Sequence, residues 1–411
     1  MTDYMNKTEK RPMPLEGICV LEYAVFHAGP GTSAILGDLG AEVIKIENGS
    51  GDPERYWNEV GGMDLSMPNG ESVVFESSNR NKKAIWLDIK KRKGREIFLQ
   101  LIKEADVFLT NLRKSTKVKL GIDYASLARI NPRIIHANIS GYGPEGPASD
   151  QGAYDPMGQA RSGMTFATGS KEPVFMNLAV LDQATAISAS HAILTALFFR
   201  ERHGIGQEVH LSLYSTGLWL MYINMLTIAS LGIDPAAEWD RSQNSPLRNR
   251  FCCKDGKWLI GAHHPEEKYW PSFCEATGQT ALLKDPRFKD NAGRKRHCQE
   301  LIEIFDEIFA TKTRDEWLRI LEAKGLMFCP AQGSRDVFKD PQALINNYLV
   351  DFEHPAYGTL QIPGYPVHFS AAWAGTRSKA PALGEHTDLI MQRIGYSGLE
   401  IQHLKEEGVI R

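Results

Sequence analysis

The sequence predicts an α/β fold, a parallel sheet covered by helices on both faces and followed by a smaller α+β domain. Three observations carry this. Apolar extended runs alternate with helical patterns through the first half of the chain, the signature of right-handed βαβ units. The composition turns polar near Asp234 and a different element pattern follows. A chain of 411 residues is also long for a single hydrophobic core, so two domains are expected.

Taken in order, Gly17–Tyr23 reads as a strand, Gly31–Leu39 as a short helix and Glu42–Glu47 as a second strand. A Gly-, Asn- and Pro-rich stretch covers Asn48–Gly70 before a third strand at Lys83–Asp88. Lys93–Ala105 is helical, with Ile97, Leu101 and Ala105 at four-residue spacing. Asp106–Thr110 is a strand, Tyr124–Ile130 a helix and Arg133–Ile139 a strand. Asn177–Leu181 reads as an apolar extended run that opens a helix, Ala184–Arg202. In that helix Ile187, Ile193, Leu194, Leu197 and Phe198 fall at helical spacing, which points to a buried element. Glu208–Leu213 is a strand, and Gly217–Leu231 a long apolar helix.

Pro235–Arg250 is polar and reads as a linker. Phe251–Gly261 is a hairpin with Asp255-Gly256 at its turn. Helices follow at Lys268–Ala276 and Gln299–Ala310, and Thr313-Arg-Asp-Glu316 has capping-box spacing before Trp317–Ala323. From Pro330 on, Pro341, Pro355, Pro363, Pro366 and Pro381 predict extended chain, then a last helix at Thr387–Ile394. The expected domains are 1–234, a large Rossmann-like α/β part, 241–324, a small α+β part, and 330–411, a segment returning to the large domain.

Composition narrows the function. Acidic and basic residues nearly balance, 50 against 47, so no global nucleic-acid or membrane surface is expected. No apolar run approaches the roughly 20 residues that span a bilayer, and residues 1–11 show no apolar signal core. Six cysteines without a C-x-x-C pair read as reduced thiols of a cytoplasmic protein. His263 and His264 are adjacent and point apart on a strand, so no metal site is expected.

Four features bear on chemistry. Asp182 is a lone carboxylate between an apolar run and a small-residue helix. Local sequence favours a helix N-cap; the alternative is a carboxylate nucleophile that forms covalent acyl intermediates. His27-Ala-Gly29-Pro30-Gly31 joins the first strand to a helix, where open α/β sheets bind ligands, but without G-x-G-x-x-G or Walker A spacing. No nucleotide cofactor is therefore expected. Lys82, Lys83, Lys90, Arg113, Lys114, Lys117 and Lys119 lie around strand ends, suited to an anionic ligand or to a solvated face. Ser140–Pro147 is a Gly/Pro-rich loop fit for close backbone approach or mobility, and Tyr154-Asp155 beyond it supplies a second carboxylate.

The opening Pro-Leu-Glu-Gly-Ile-Cys-Val-Leu-Glu, then Ala28-Gly-Pro, Leu39–Glu47, Asn81–Lys90, Lys119–Tyr124, Ser140-Gly-Tyr-Gly and Gly384–Asp388 resemble the class III CoA-transferases. The similarity runs from about Leu15 to the C-terminus and is weakest over Leu226–Phe251. The resemblance implies that Asp182 is the catalytic aspartate. It implies that His27, Ala28, Leu87, Lys90, Asn111, Leu112, Arg113, Lys119, Gly152, Tyr154 and Asp155 contact coenzyme A, supplied as an acyl-CoA co-substrate alongside a free carboxylic acid. It also implies an interlocked ring-shaped homodimer. Two departures stand out: Lys119 replaces an arginine, which keeps charge but loses bidentate geometry, and no glycine-run loop is present at Phe251–Gly261.

The implied reaction passes through an aspartyl–acyl anhydride and an aspartyl-CoA thioester. The family's α-methylacyl-CoA racemases use Gly-His-Asp, matched here by Ala153-Tyr154-Asp155. A tyrosine with pKa near 10 is a poor proton acceptor at neutral pH, which counts against racemisation. A non-catalytic acyl-CoA-binding protein is the remaining alternative. The Asn81–Ile85 stretch and Asn346-Asn-Tyr-Leu most resemble the 2-hydroxy-acid CoA-transferases.

Overall fold

Six short strands build the central sheet: β1 (Cys19–Tyr23), β2 (Glu42–Glu47), β3 (Lys82–Trp86), β4 (Val107–Thr110), β5 (Ile135–Ser140) and β6 (Gln207–Ser212). Every pairing is parallel and the order is β3-β2-β1-β4-β5-β6. The structure, a computed structural model, describes residues 11–235 and 240–411. Residues 1–10 and 236–239, parts of the N-terminal and linker readings above, lie outside them.

Alternate residues of each strand enter different cores, as the two-residue period requires. Leu21, Ile44, Ile85 and Phe108 pack with Ile97, Phe98, Leu101 and Ile102 of α2 (Arg92–Glu104) on one face. Val20, Val43, Val107, Leu109 and Ala137 pack on the other face. There they meet Ile35 and Leu36 of α1 (Ala28–Asp38) and Ala186, Ala189 and Ile193 of α5 (Val180–His203). Burial on both sides explains why the strands are apolar with few interruptions. Three shorter helices follow β4, β5 and β6 respectively in the chain: α3 (Lys114–Leu120), α4 (Asp155–Arg161) and α6 (Leu213–Leu220).

The expected helix at 217–231 is two helices. Ser212 and Ser215 form a capping box that starts α6 earlier, and α7 (Tyr222–Leu231) follows after Met221. The prediction of a buried 184–202 helix needs a second correction. Ile193 and Leu197 are buried, but Ile187 and Phe198 are 54% and 63% exposed, because only one flank of α5 meets α1 and the sheet.

The chain divides into two compact units: residues up to Ala229 with Asn347–Arg411, and Ser230–Asn346. In the second, β7 (Arg250–Cys252), β8 (Trp258–Gly261) and β9 (Phe328–Pro330) form an antiparallel sheet in the order β9-β8-β7. Gly256 takes φ +70 at the hairpin turn. Around this sheet α8 (Glu266–Ala276), α9 (Cys298–Phe309) and α10 (Arg314–Ala323) bury Phe251, Phe273, Phe305, Phe309 and Trp317. The capping box of Thr313 with Glu316 forms. His263 uses both ring nitrogens on backbone, one against Leu247 O at 2.8 Å and the other accepting from Met327 N–H at 2.7 Å.

The C-terminal stretch is more regular than its prolines suggest. It makes a hairpin, β10 (Leu349–His354) with β11 (Gly358–Pro363), then α11 (Thr387–Arg393) and α12 (Gly398–Glu406). Ile390, Met391, Ile401, Leu404, Val409 and Ile410 join the core of the first unit under α2. Among the described residues no helix is long and apolar enough to cross a membrane.

Candidate active site

In this strand order the chain leaves β1 toward β2 on one side and returns at β4 on the other. Loops after those two strands therefore diverge and leave a crevice at their C-terminal ends. A cavity of about 850 Å³ opens there, lined by Val25–Ala28 after β1, Asn111–Lys114 after β4, Ser140 and Gly141 at the end of β5, Gly152–Tyr154, and Asp182.

Side-chain hydrogen bonds hold the crevice open in one shape. Asn111 spans it, accepting from Val25 N–H at 3.0 Å and donating to Val25 O at 2.6 Å. Phe26 sits at φ +59, an uncommon conformation for an aromatic residue, and its N–H is fixed by Asp52 Oδ1 at 3.0 Å. That turn aims His27 into the start of α1. Gly29 is required there, since a Cβ would lie 2.8 Å from Ala24 Cβ.

Asp182 is placed by α5. The predicted extended run does not form. Leu178 and Ala179 instead adopt φ +63 and +59, and the helix begins at Val180. Two consecutive non-glycine residues in this region store strain, commonly found at functional sites. Asp182 is thus in the first turn and is not the N-cap. Asp155 performs that task from α4: its Oδ2 accepts from Leu181 N–H at 2.6 Å and Asp182 N–H at 2.9 Å, and Gln159 Nε2 donates to its Oδ1.

Among the described residues no hydrogen-bond donor is recorded on the Asp182 carboxylate. Burial, and secondly the Asp155 charge, push its pKa up to about 7. His27 donates from Nε2 to Gln183 Oε1 at 3.0 Å, the tautomer a carbonyl acceptor demands. Burial holds its pKa below the usual imidazole value.

Of the residues singled out from the sequence, His27, Ala28, Asn111, Leu112, Arg113, Gly152, Tyr154 and Asp182 meet at the cavity. Arg113 lies over Gly152, where a Cβ would come within 2.9 Å of its Nη2. Tyr154 stands edge-on to Phe26 at 5.1 Å. Asp155 is buried behind the cavity wall. Lys117 and Lys119 are both in the last turn of α3, and it is Lys117 that reaches the cavity. Leu87 is fully buried and bridges to Ile410, and Lys90 is exposed; neither lines the cavity.

Other wall residues went unnoticed in the sequence. Asn138 on β5 takes a hydrogen bond from Lys117 and donates to Glu208 Oε1 at 2.8 Å. His210 Nε2 lies 3.2 Å from Glu208 Oε2. The two-residue spacing of Glu208 and His210 puts both on one face of a strand, a signal that was available.

A doubly wound sheet with a carboxylate facing a crevice at its switch point defines a ligand-binding α/β protein; the comparisons narrow it. The family described as CoA-transferase family III matches residues 15–387. An acyl-CoA transferase of Fusarium pseudograminearum is 36% identical, covering 96% of this chain and 88% of its own length. An (R)-2-hydroxy-4-methylpentanoate CoA-transferase of Clostridioides difficile is 32% identical, covering 97% of this chain and 100% of its own. The crystal structure of a CAIB/BAIF family protein from Brucella suis superposes with TM-score 0.81 at 29% identity, covering 93% of this chain and 100% of that one. The chain belongs to CoA-transferase family III. It is an enzyme that transfers CoA, with a CoA thioester as co-substrate.

Proposed function

We propose that the enzyme moves CoA from an acyl-CoA to a free carboxylic acid through covalent intermediates on Asp182. One observation carries this reading: the Asp182 carboxylate faces the cavity without a recorded protein donor, while Asp155 does the helix-capping work that would otherwise explain an acid there. Asp182 attacks the thioester carbonyl, giving an aspartyl–acyl anhydride and CoA thiolate. The thiolate then attacks the aspartyl carbonyl, giving an aspartyl-CoA thioester and the donor acid. The acceptor carboxylate attacks that thioester and forms a new anhydride, and the returning thiolate takes the acyl group and frees Asp182. Activation is conserved throughout, so the site must exclude water.

CoA phosphates in this reading meet Arg113, aided by Lys117, with His27, Ala28, Asn111, Leu112, Gly152 and Tyr154 forming the walls. Lys90, Lys119 and Leu87 serve at most the outer reach of the ligand. The acceptor is a 2-hydroxy acid, a reading supported by the relative from Clostridioides difficile. Tyr154 stands where a histidine base would be needed, and a phenol is a poor proton acceptor at neutral pH, so racemisation is disfavoured.

The enzyme acts as a homodimer. Trp219, Leu220, Ile223 and Leu226 on α6 and α7, together with Phe198 on α5, are large apolar side chains left exposed, and clusters of such residues commonly mark interaction surfaces. Six free cysteines suit a cytoplasmic setting. Incubating the protein with an acyl-CoA and isotopically labelled acids tests the whole reading. Label should enter the CoA ester, fastest from 2-hydroxy acids; binding without label transfer would reject it, and loss of α-stereochemistry without a second acid would indicate a racemase.

A further inference from the structure

Behind His27 lies a second buried acid that the reaction above does not use. Glu54, in a short turn at Pro53–Tyr56, is fully buried, and its Oε1 has no hydrogen-bond partner. His27 Nδ1 is also buried without a hydrogen-bond partner among the described residues, and it lies 3.9 Å from that oxygen. The two are brought together by a single atom: Asp52 Oδ1 accepts from both Phe26 N–H and Glu54 N–H, each at 3.0 Å. Since His27 Nε2 already carries a proton toward Gln183, a neutral His27 presents a lone pair at Nδ1. An ionised Glu54 would oppose lone pair to lone pair; a protonated Glu54 could donate. A shift of about 1 Å brings the pair to hydrogen-bond distance.

We propose that Glu54 and His27 share one proton, held on Glu54 at rest and passed to His27 Nδ1 when negative charge forms in the cavity. The step balances: the Glu54 O–H bond breaks, the His27 Nδ1–H bond forms, and a carboxylate and an imidazolium replace two neutral groups. The imidazolium faces the CoA thiolate released by attack of Asp182, and the proton returns when the thiolate is consumed. The carboxylate left behind keeps the hydrogen bond from Ser78 Oγ at 2.5 Å. Lys45 and Lys82 favour that ionised form, whereas Asp52 opposes it. His27 meets Arg80 and Lys82, which disfavour its cation, and Asp155, which favours it. Burial, with Asp52 adding, pushes the Glu54 pKa up to about 8, so the proton is present at neutral pH. Glu54 is in this sense a positioning residue, acting through His27.

The proposal rests on the acyl-transfer reading for its purpose, and its test separates the two. Infrared difference spectra of wild type against Glu54→Gln, without substrates, should show the carbonyl band of a protonated buried acid at pH 7. That band should give way to carboxylate bands above about pH 8. Nitrogen NMR should show His27 neutral with its proton on Nε2. In turnover, Glu54→Gln should lower kcat about tenfold or more while KM for acyl-CoA stays within about twofold, and Glu54→Asp should recover part of the loss. No acid band assignable to Glu54 at pH 7, or an unchanged kcat in Glu54→Gln, overturns the proposal. Should Glu54→Gln fail to fold, the same band is assigned with Glu54→Asp, whose acid absorbs at a shifted position. Absence of exchange in wild type would reject the acyl-transfer reading, and the infrared result would still decide where the proton sits.

Discussion

Asp182 and Asp155 show how two acids of like charge acquire different tasks from their surroundings. One is consumed as a hydrogen-bond acceptor at the start of α5, and the other is left without a donor. A nucleophilic Asp182 must be ionised, so kcat/KM for acyl-CoA should rise with pH and level off above about 7. Stability should move oppositely. The folded-state pKa is raised, so the stability Asp182 contributes is full below its unfolded value and is lost as pH climbs through about 7. Asp182→Asn should therefore melt above wild type at pH 8, by an upper limit of roughly 4 kcal/mol, with the gap narrowing toward pH 5. The same variant should lose nearly all exchange, and hydroxylamine added during wild-type turnover should mark Asp182 alone. At the cavity wall, Arg113→Ala should raise KM for acyl-CoA about tenfold or more, on the order of 1.5–3 kcal/mol for a charge-assisted contact. Lys119→Ala, outside the cavity lining, should do less, and added salt should weaken the Arg113 contact. A larger effect from Lys119→Ala in steady-state kinetics would reverse that assignment.

At the scale of elements, the first turn of α5 depends on α4 packing closely behind it. Gly158 makes that approach possible, since a Cβ there would meet Leu181 Cδ2 and Leu213 Cβ at 2.8 Å. Gly158→Ala should cost about 1–3 kcal/mol by overpacking and lower kcat by displacing the Asp155 cap, measurable by denaturant unfolding alongside turnover. The sheet strands were legible because both faces are buried and their residues are apolar. Helices α3 and α4 were not legible: each is seven residues long, too short to express a clear 3.6-residue period. The start of α5 was misjudged because Val180 and Leu181 suit a strand locally. Left-handed Leu178 and Ala179, together with the cap from Asp155, make them helical, and nothing in the adjacent sequence announces that acid.

At the scale of the whole molecule, the C-terminal stretch completes the core of the first unit. Asp88 N–H donates to Val409 O at 3.0 Å, Leu87 bridges to Ile410, and Val409 and Ile410 are buried. Deleting 408–411 should cost at least about 3 kcal/mol from the two aliphatic side chains alone, seen as a lower melting temperature. The apolar surface on α5, α6 and α7 predicts a dimer at micromolar concentration in sedimentation equilibrium, and charged substitution of Ile223 with Leu226 should shift it toward monomer.

The sequence by itself determined the parallel α/β architecture, the loops that lead into the crevice, and Asp182 as the acid to explain. Those features follow from local periodicity, turn chemistry and resemblance to a family. Only the tertiary structure decided which acid caps α5, that Asn111 ties the two diverging loops, and that Glu54 stands behind His27. These depend on contacts between residues 26 to 86 positions apart in the chain. Backbone topology brings such partners together, and no local pattern encodes them.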